Sequence, residues 1–455
     1  MKERFVVIGG DASGMSAASK ARRENPELEI IALEKSNYAS YAACGLPYYI
    51  KGNVQDAEDL IAIAPEVFRQ KRNIDLRLQH EVIKIEPEEK TIQIVSPQGE
   101  STLAYDKLLI STGARAVQPP IKGVDSEGVF ILRGIPDAVG IKEYLTRRRP
   151  QSVLVIGGGY IGMEMADAFY SLGMSVQIVE LLPHLLNSFG SEISEEVENE
   201  TQNYARLYLG HRVNEIRPDQ PGRLSVYLSR EVDRKEERVE TEMVLIATGI
   251  VPEVTLASEA GIELGKTRAI ITDEYGQTSI PDIYAAGDCA EVKSIVTSQN
   301  IYLPLALTAN RNGRAVGSTI AGKKTPLTPV AGTAVVKLFE LEVATTGVVN
   351  REIARQYGFE PVKVTIESST RAGYCPGAKP IKVSLVADRN TKRLLGSSMV
   401  GGEGVSKRID IVAAALYGQF TVRQLENLDL AYAPPFSPVW DPVLDAARVL
   451  NGKLG

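Results

Sequence analysis

The sequence is poor in cysteine, histidine and long apolar runs. Its 455 residues include three cysteines, at positions 44, 289 and 375, and three histidines. Three cysteines provide neither a disulfide framework nor a zinc-finger spacing, and an odd number suits a reducing compartment. No apolar run approaches the roughly 18 residues that a membrane span requires, and the first strand-like stretch is too short for a signal peptide. We therefore predict a cytoplasmic protein with no membrane partner and no metal site.

An excess of positive charge is also lacking. The chain has 51 Lys and Arg against 57 Asp and Glu, which gives a formal net charge of −6. A mildly acidic chain has no general attraction for nucleic acid, so no nucleic-acid partner is predicted. The composition is otherwise that of a globular protein, and the length corresponds to about three domains of ~150 residues each.

What the sequence does contain is a strand, glycine turn, helix and strand pattern that occurs twice, at 5–34 and 153–180. Alternation of β-branched runs with helical segments is typical of a doubly wound α/β fold. After a linker at 322–329 the order changes, and four strand-like segments precede a helix at 405–417. We predict two Rossmann-like dinucleotide-binding domains followed by an α+β domain with an antiparallel sheet.

The second glycine turn carries the fuller fingerprint. Gly157, Gly159 and Gly162 follow an apolar strand and open a helix, and Glu180 closes the next strand 18 residues after Gly162. Such glycines let the backbone approach a pyrophosphate at the helix N-terminus, while the carboxylate binds the ribose hydroxyls. Glu180 would repel a 2′-phosphate, and the next three residues include no arginine to receive one. NADH is therefore favoured over NADPH.

The first turn departs from this fingerprint, because Asp11 stands where the middle glycine belongs between Gly9 and Gly14. Glu34, 20 residues after Gly14, closes the second strand and supports a dinucleotide site here too. The Thr-Gly-Ala stretch at 112–114 ends another strand, where the backbone can lie against a cofactor. These features favour a flavin over a second nicotinamide.

Three further motifs carry a family resemblance. Ala-Thr-Gly at 247–249, Tyr-Ala-Ala-Gly-Asp at 284–288 and Cys-Gly-Leu-Pro-Tyr at 44–48 together resemble the pyridine nucleotide-disulfide oxidoreductase superfamily, over essentially the whole chain. The resemblance implies that Asp288 contacts the ribityl or pyrophosphate region of FAD and that Glu34 contacts its adenosine ribose. It also implies a C-terminal domain that forms a homodimer.

The same resemblance implies domain boundaries and cofactor positions. The FAD-binding domain would take 1–115 and 250–322, the NAD(P)H-binding domain 116–249, and the dimerisation domain 323–455. The implied cofactor-binding positions are Gly9, Gly10, Ala12, Gly14, Glu34, Lys35, Val82, Thr112, Gly113, Asp288 and Ala306 for FAD, and Gly157, Gly159, Tyr160, Ile161, Gly162, Glu180 and Gly249 for NAD(P)H.

Cys44 is the candidate redox centre. Small residues flank it, and the start of a helix would lower the pKa of its thiol. Two-cysteine members of the superfamily carry a second cysteine shortly downstream, where this chain has Tyr49, and use a C-terminal histidine that this chain lacks. Cys44 would therefore form a mixed disulfide with a substrate or cycle through a sulfenic acid.

The chain thus resembles the single-cysteine branch, which includes coenzyme A-disulfide reductases, NAD(P)H sulfur or polysulfide reductases, NADH oxidases and NADH peroxidases. The oxidases and peroxidases typically place a histidine in the first glycine turn, where this chain has Ala12, so disulfide chemistry is favoured. By the same resemblance, Tyr374 and Tyr432 reach the active cysteine of the partner subunit and assist the leaving thiolate.

The resemblance also implies a coenzyme A subsite at Ser16, Lys20, Arg23, Ser40 and Arg72. The cations at the end of the first helix have an alternative explanation, since they interact favourably with its dipole. Ala43, Asn310 and Trp440 depart from the residues found in some coenzyme A-disulfide reductases.

These observations predict an FAD-dependent NAD(P)H oxidoreductase that reduces a low-molecular-weight disulfide, persulfide or polysulfide through Cys44. Two alternatives stay open. One is an NADH oxidase that cycles Cys44 through sulfenic acid, and the other is a flavoprotein redox sensor of low turnover.

Overall fold

The first part of the chain supplies four strands of a five-stranded parallel sheet. A computed structural model describes residues 2–455. The elements of this part are β1 (Arg4–Ile8), α1 (Ala12–Glu24), β2 (Glu29–Glu34), α2 (Leu46–Lys51), β3 (Asp75–Leu78), β4 (Glu81–Glu86), β5 (Thr91–Ser96), β6 (Gly99–Ala104), β7 (Lys107–Ile110) and β8 (Ala114–Ala116). Strands β4, β5 and β6 form a separate antiparallel sheet. The predicted first strand–turn–helix unit is confirmed, with the helix beginning directly after Asp11.

The middle of the chain repeats the arrangement. Its elements are β9 (Val129–Ile131), α3 (Ile135–Arg148), β10 (Ser152–Ile156), α4 (Tyr160–Ser171), β11 (Ser175–Glu180), α5 (Ser191–Thr201), β12 (Ala205–Leu209), β13 (His211–Gln220), β14 (Arg223–Arg230), β15 (Glu236–Thr241), β16 (Met243–Ile246) and β17 (Ile250–Pro252). The parallel sheet runs in the order β12-β11-β10-β16-β9, and β13, β14 and β15 form an antiparallel sheet beside it.

The chain then returns to the first sheet. Its next elements are α6 (Thr255–Glu259), β18 (Ile283–Ala285), β19 (Val292–Lys293), β20 (Asn300–Ile301) and α7 (Ala306–Ile320). Strand β18 completes the first sheet in the order β18-β7-β1-β2-β3. Helix α7 packs closely on α1, because Gly313 and Gly317 leave room for the backbone of Ser13 and Ala17.

The last part is an α+β unit, as predicted. Its elements are β21 (Ala334–Leu338), β22 (Leu341–Gly347), α8 (Arg351–Gln356), β23 (Pro361–Ser369), β24 (Pro380–Asp388), β25 (Leu394–Gly401), α9 (Val405–Tyr417), α10 (Val422–Glu426) and α11 (Pro442–Leu454). The five strands form an antiparallel sheet in the order β21-β22-β25-β24-β23. Strand β22 was not among the predicted segments.

The middle and last parts share packing. Phe339 stacks on Tyr204 with ring centroids 4.3 Å apart and an interplanar angle of 6°. Buried apolar side chains of β21, β22 and β25 belong to the same core cluster as those of β10, α4 and β11. Lys382 adds an ion pair with Glu196 of α5 at 2.9 Å. Within residues 2–455, no helix has the length and apolar character needed to cross a membrane.

Candidate active site

The two glycine turns share one backbone geometry. Gly9 has φ +108° and Gly157 has φ +110°, a region that side chains other than glycine rarely adopt. A Cβ at Gly9 would lie 2.2 Å from the carbonyl oxygen of Ser111, and one at Gly157 would lie 2.3 Å from that of Ala247. Each turn is therefore pressed against the end of a neighbouring strand, where only glycine fits.

Glu34 and Glu180 play the same local role in the two units. The Gly10 N–H donates to Glu34 Oε2 at 2.8 Å, and the Gly158 N–H donates to Glu180 Oε2 at 2.6 Å. The second oxygen of each carboxylate accepts from a backbone N–H two residues further on, both at 2.8 Å. Since a carboxylate has about four acceptor positions, each glutamate fixes its own turn and keeps capacity for ribose hydroxyls.

The turns differ at their third position. A Cβ at Gly159 would meet nothing within 4 Å, so the second turn leaves open space in front of the start of α4. In the first turn the Asp11 carboxylate occupies that place, and its Oδ1 accepts from the Tyr41 N–H at 3.1 Å. Burial raises the pKa of Asp11 to about 6, opposed by the Tyr41 hydrogen bond and by Arg133. The departure from the fingerprint thus ties the first turn to the segment that carries Cys44.

Cys44 lies in a short 3-10 helix, Ala43–Gly45, that leads directly into α2. Its side chain reaches the surface, but neighbouring groups partly shield the thiol from water. This partial burial, followed by the charges of Glu164 and Asp288, raises the pKa of the thiol, and Arg133 lowers it. The expectation of a lowered thiol pKa is therefore wrong for the groups of this chain, because partial burial and the nearby carboxylates together outweigh the single cation.

Two residues that sequence reasoning missed lie close to this thiol. Glu164, two residues after Gly162 on α4, has its pKa raised to about 7 by burial and then by Asp167. Arg133 follows β9, donates from Nε to the Ala114 carbonyl at 2.8 Å and places Nη2 3.6 Å from Asp288 Oδ2. Glu164 and Asp167 are the two charged residues of α4 and share its less buried face, which was a signal for Glu164, whereas nothing local marked Arg133.

The residues predicted for FAD fit such a group. Tyr302 has a buried hydroxyl without a hydrogen-bond partner among the described residues, and burial followed by Asp288 raises its pKa. Asp288 itself is partly buried, and burial raises its pKa as well. Gly113 has φ +75°, and Thr112 Oγ1 donates to the Glu253 carbonyl at 2.6 Å. A buried donor and a bare backbone beside the first turn are what a polar cofactor requires.

The remaining predicted cofactor positions are spread over both units. Gly14 packs its Cα against the Gly9 carbonyl, and Gly162 does the same against Gly157. Others are placed as follows: Ala12 begins α1, Lys35 is exposed after β2, Val82 is buried in β4, Ala306 begins α7, Tyr160 and Ile161 begin α4, and Gly249 has φ +107°.

The residues predicted for coenzyme A are partly engaged within the chain. Ser16 Oγ donates to Asn310 Oδ1 at 2.7 Å, and Arg72 Nη1 donates to Ser19 Oγ at 2.8 Å. The remaining three lie as follows: Lys20 pairs with Glu24 at 2.7 Å, Arg23 is exposed, and Ser40 has φ +52°. The Lys20 ion pair agrees with the alternative in which that cation serves its own helix.

Tyr374 and Tyr432 lie together on the last part of the chain. The two residues are 78% and 47% exposed, and the neighbouring Tyr432 raises the pKa of Tyr374. Phe436 and Trp440 are exposed on the same stretch, at 76% and 63%. A run of exposed aromatic side chains of this kind marks an interaction surface.

Two nucleotide turns on separate parallel sheets, with a thiol among charged groups from both, define an oxidoreductase that uses two nucleotide cofactors. The chain belongs to the pyridine nucleotide-disulphide oxidoreductase family, whose model matches residues 3–312. The dimerisation domain of that family matches residues 333–442. The family implies FAD and NAD(P)H as cofactors.

The relatives agree in class. The chain is 40% identical over 452 residues to "NAD(P)H sulfur oxidoreductase (CoA-dependent)" of Pyrococcus abyssi, covering 99% of each chain. Reduced CoADR-RHD of Bacillus anthracis superposes with a TM-score of 0.94 at 35% identity, covering 100% of this chain and 81% of that one. An NAD-dependent persulfide reductase from A. fulgidus superposes with a TM-score of 0.93 at 36% identity, covering 99% and 83%.

Proposed function

We propose that the protein reduces a low-molecular-weight disulfide, persulfide or polysulfide with electrons from NADH, through FAD and the single thiol of Cys44. The observation that carries the proposal is the exposed Cys44 thiol beside Asp11 of the first turn and Glu164 of the second turn's helix. The names of the relatives, which include sulfur and persulfide reductases, support the substrate class.

When bound, FAD supplies a two-electron link between the nicotinamide and sulfur. The Cys44 thiolate attacks one sulfur of the substrate disulfide, forms a mixed disulfide and releases the other half as a thiolate, which takes a proton. Two electrons then break the mixed disulfide, which returns Cys44 to its thiolate and releases the second half of the substrate as a thiolate that takes a proton. Over one cycle, one disulfide, one NADH and one proton give two thiols and NAD⁺.

Three side chains of this protein would supply the protons that the released thiolates take up. Since the pKa of Glu164 is about 7, its carboxyl is close to half-protonated at neutral pH and holds a proton beside Cys44. Tyr374 and Tyr432, as neighbouring side chains on the domain that matches the dimerisation family, would donate to the leaving thiolate at the partner's site. The homodimer would then build each site from two chains.

Coenzyme A disulfide is the acceptor that the predicted cations support. Arg23, which is exposed, would bind phosphate groups together with Ser40 and Arg72 of the predicted set. Replacing Arg23 by Ala should raise KM for coenzyme A disulfide several-fold and leave KM for polysulfide unchanged. An equal change for both acceptors would argue against a coenzyme A subsite there.

The Cys44→Ser variant tests the function as a whole. It should keep FAD bound and still be bleached by NADH under anaerobic conditions, because neither event requires sulfur, yet it should lose disulfide turnover. Turnover is measured with coenzyme A disulfide, with polysulfide and with oxygen as separate acceptors. Retained disulfide turnover contradicts the mechanism, and oxygen consumption as the fastest reaction of the unaltered protein favours the NADH oxidase instead.

A further inference from the structure

The last part of the chain contains a buried ion pair remote from both nucleotide turns. Arg408 on α9 donates from Nε to Asp441 Oδ2 at 2.9 Å, and the two side chains are only 7% and 11% exposed. Asp441 also accepts from Ser437 Oγ at 3.1 Å and caps α11 by accepting from the Val443 N–H at 2.9 Å. Such a pair contributes little to stability compared with apolar residues of similar size. We therefore expect this pair to have a role other than stability.

The remaining donors of the guanidinium point to that explanation. Arg408 Nη2 donates to the Thr370 carbonyl at 3.0 Å and to the Phe436 carbonyl at 3.2 Å. Thr370 lies four residues before Tyr374, and Phe436 lies four residues after Tyr432. One guanidinium therefore bridges the two loops that carry the exposed tyrosines.

The two loops are also joined directly. The Ala372 N–H donates to the Pro434 carbonyl at 3.1 Å, so the segments around the tyrosines run side by side. Beside that contact the side chains of Tyr374 and Tyr432 are neighbours, and the influence of Tyr432 raises the pKa of Tyr374. The buried guanidinium and the backbone hydrogen bond between the loops hold the same two segments in one arrangement.

We infer that Arg408, held by Asp441, is a positioning residue that aligns the Tyr374–Tyr432 pair for the disulfide half-reaction and takes no part in the NADH half-reaction. This inference rests on the proposed function. Only arginine has the planar fork that can reach a carboxylate and two carbonyls at once, and lysine carries one compact ammonium in its place.

Four variants separate positioning from stability. Arg408→Lys keeps the charge without the fork, Arg408→Met removes the charge, and Arg408→Met with Asp441→Leu replaces the pair by apolar side chains. Lys407→Met is the matched control, because Lys407 is the exposed neighbour on the same helix. Each holoenzyme is assayed for anaerobic flavin bleaching by NADH, for kcat and KM with the disulfide, and for Tm.

We expect flavin bleaching within about twofold of the unaltered protein in all four variants, and disulfide kcat reduced about tenfold or more in the three that alter Arg408. The paired apolar variant should regain part of the Tm that Arg408→Met loses, because no charge stays buried without its partner, but not kcat. The recovery of Tm is partial because Asp441→Leu also removes the cap of α11. Adding Tyr432→Phe to Arg408→Lys should reduce kcat by much less than Tyr432→Phe does alone, because both changes disturb one arrangement.

Recovery of both Tm and kcat in the paired apolar variant would make the ion pair purely structural and overturn the inference. Full disulfide kcat in Tyr432→Phe alone would overturn it as well, since the loops would then carry nothing to align. Failure of the proposed function is a separate result, which appears as disulfide turnover retained by Cys44→Ser.

Discussion

The first and second glycine turns have the same frame but different surroundings. In both, a glycine with positive φ presses on a neighbouring strand and a glutamate holds the following N–H. The first turn is covered by α7 and fastened to the Cys44 segment by Asp11, whereas the second leaves open space at Gly159. The difference suits a cofactor that stays bound in the first site and one that exchanges in the second.

Each of the two nucleotide units also contributes a carboxylate close to the Cys44 thiol. Asp11 precedes α1 and Glu164 lies on α4, and both raise the pKa of Cys44. In the proposed function, the repeated frame would bind the two nucleotides, and the residues that break the repeat contribute to the charge around Cys44.

The strongest test of the shared frame is Gly157→Ala against Gly159→Ala. A methyl at 157 meets a carbonyl oxygen at 2.3 Å on a backbone with φ +110°, so the free energy of unfolding should fall by about 2–3 kcal/mol. A methyl at 159 meets nothing within 4 Å and should change stability by less than about 1 kcal/mol. Urea denaturation measures both, and equal losses would contradict a common steric frame.

A smaller effect is expected at the carboxylate of the second turn. Glu180→Ala should weaken NADH more than NADPH, because the carboxylate binds ribose hydroxyls and repels a 2′-phosphate. We expect the preference ratio to change about tenfold, or about 1.4 kcal/mol. Equilibrium binding of both nucleotides to the flavoprotein measures the ratio. Glu34→Ala serves as the comparison, since it alters the other turn and should leave this ratio unchanged.

How far the sequence predicts the molecule depends on the range of the contacts involved. Both nucleotide units follow from local spacing, because glycines, apolar strands and a closing glutamate lie within about 30 residues of one another. Strand β22 and the hairpins β4–β6 and β13–β15 were missed. Charged residues interrupt strands such as β4 and β13, so their apolar pattern is weaker than that of the buried parallel strands, although Pro221-Gly222 marks the turn between β13 and β14.

The sequence singled out residues of the two glycine turns and Cys44, but it did not predict which charged groups surround the thiol. Cys44, Glu34 and Glu180 stand in motifs, so sequence alone singled them out. Arg133 acts on residues more than 80 positions away on one side and more than 100 on the other, and only the folded sheet brings them together. The Cys44 pKa is raised by burial in the folded chain and by carboxylates distant in sequence, which is why the local helix argument was wrong.

The Asp11→Asn variant tests whether the Asp11 carboxyl, which replaces a glycine of the fingerprint in the first turn, titrates between pH 5 and pH 7. The folded protein holds this proton up to a pKa of about 6, against 3.8 ordinarily, so the group favours folding in acid and loses that contribution as pH rises through 6. Between pH 5 and pH 7 the unaltered protein should lose about 1 kcal/mol more stability than the variant. Asparagine keeps an acceptor for the Tyr41 N–H, so parallel stability curves from urea denaturation would mean that Asp11 does not titrate in this range.

The smallest expected effect is on the rate of Cys44 alkylation, which should distinguish the influence of Glu164 from that of Asp11. Glu164 ionises near pH 7 and then opposes the Cys44 thiolate, so Glu164→Gln should speed alkylation of Cys44 by about threefold at pH 8, through a lower thiol pKa. Below pH 6 the carboxyl is already neutral, and the two proteins should react alike. Asp11→Asn should have a weaker effect at pH 8, because Asp11 contributes less than Glu164 to the raised thiol pKa. Rates of iodoacetamide labelling at Cys44, read by mass spectrometry across pH 5.5–8.5, measure the difference. A Glu164→Gln effect that is the same at every pH would mean that the side chain acts on Cys44 by packing rather than by its charge.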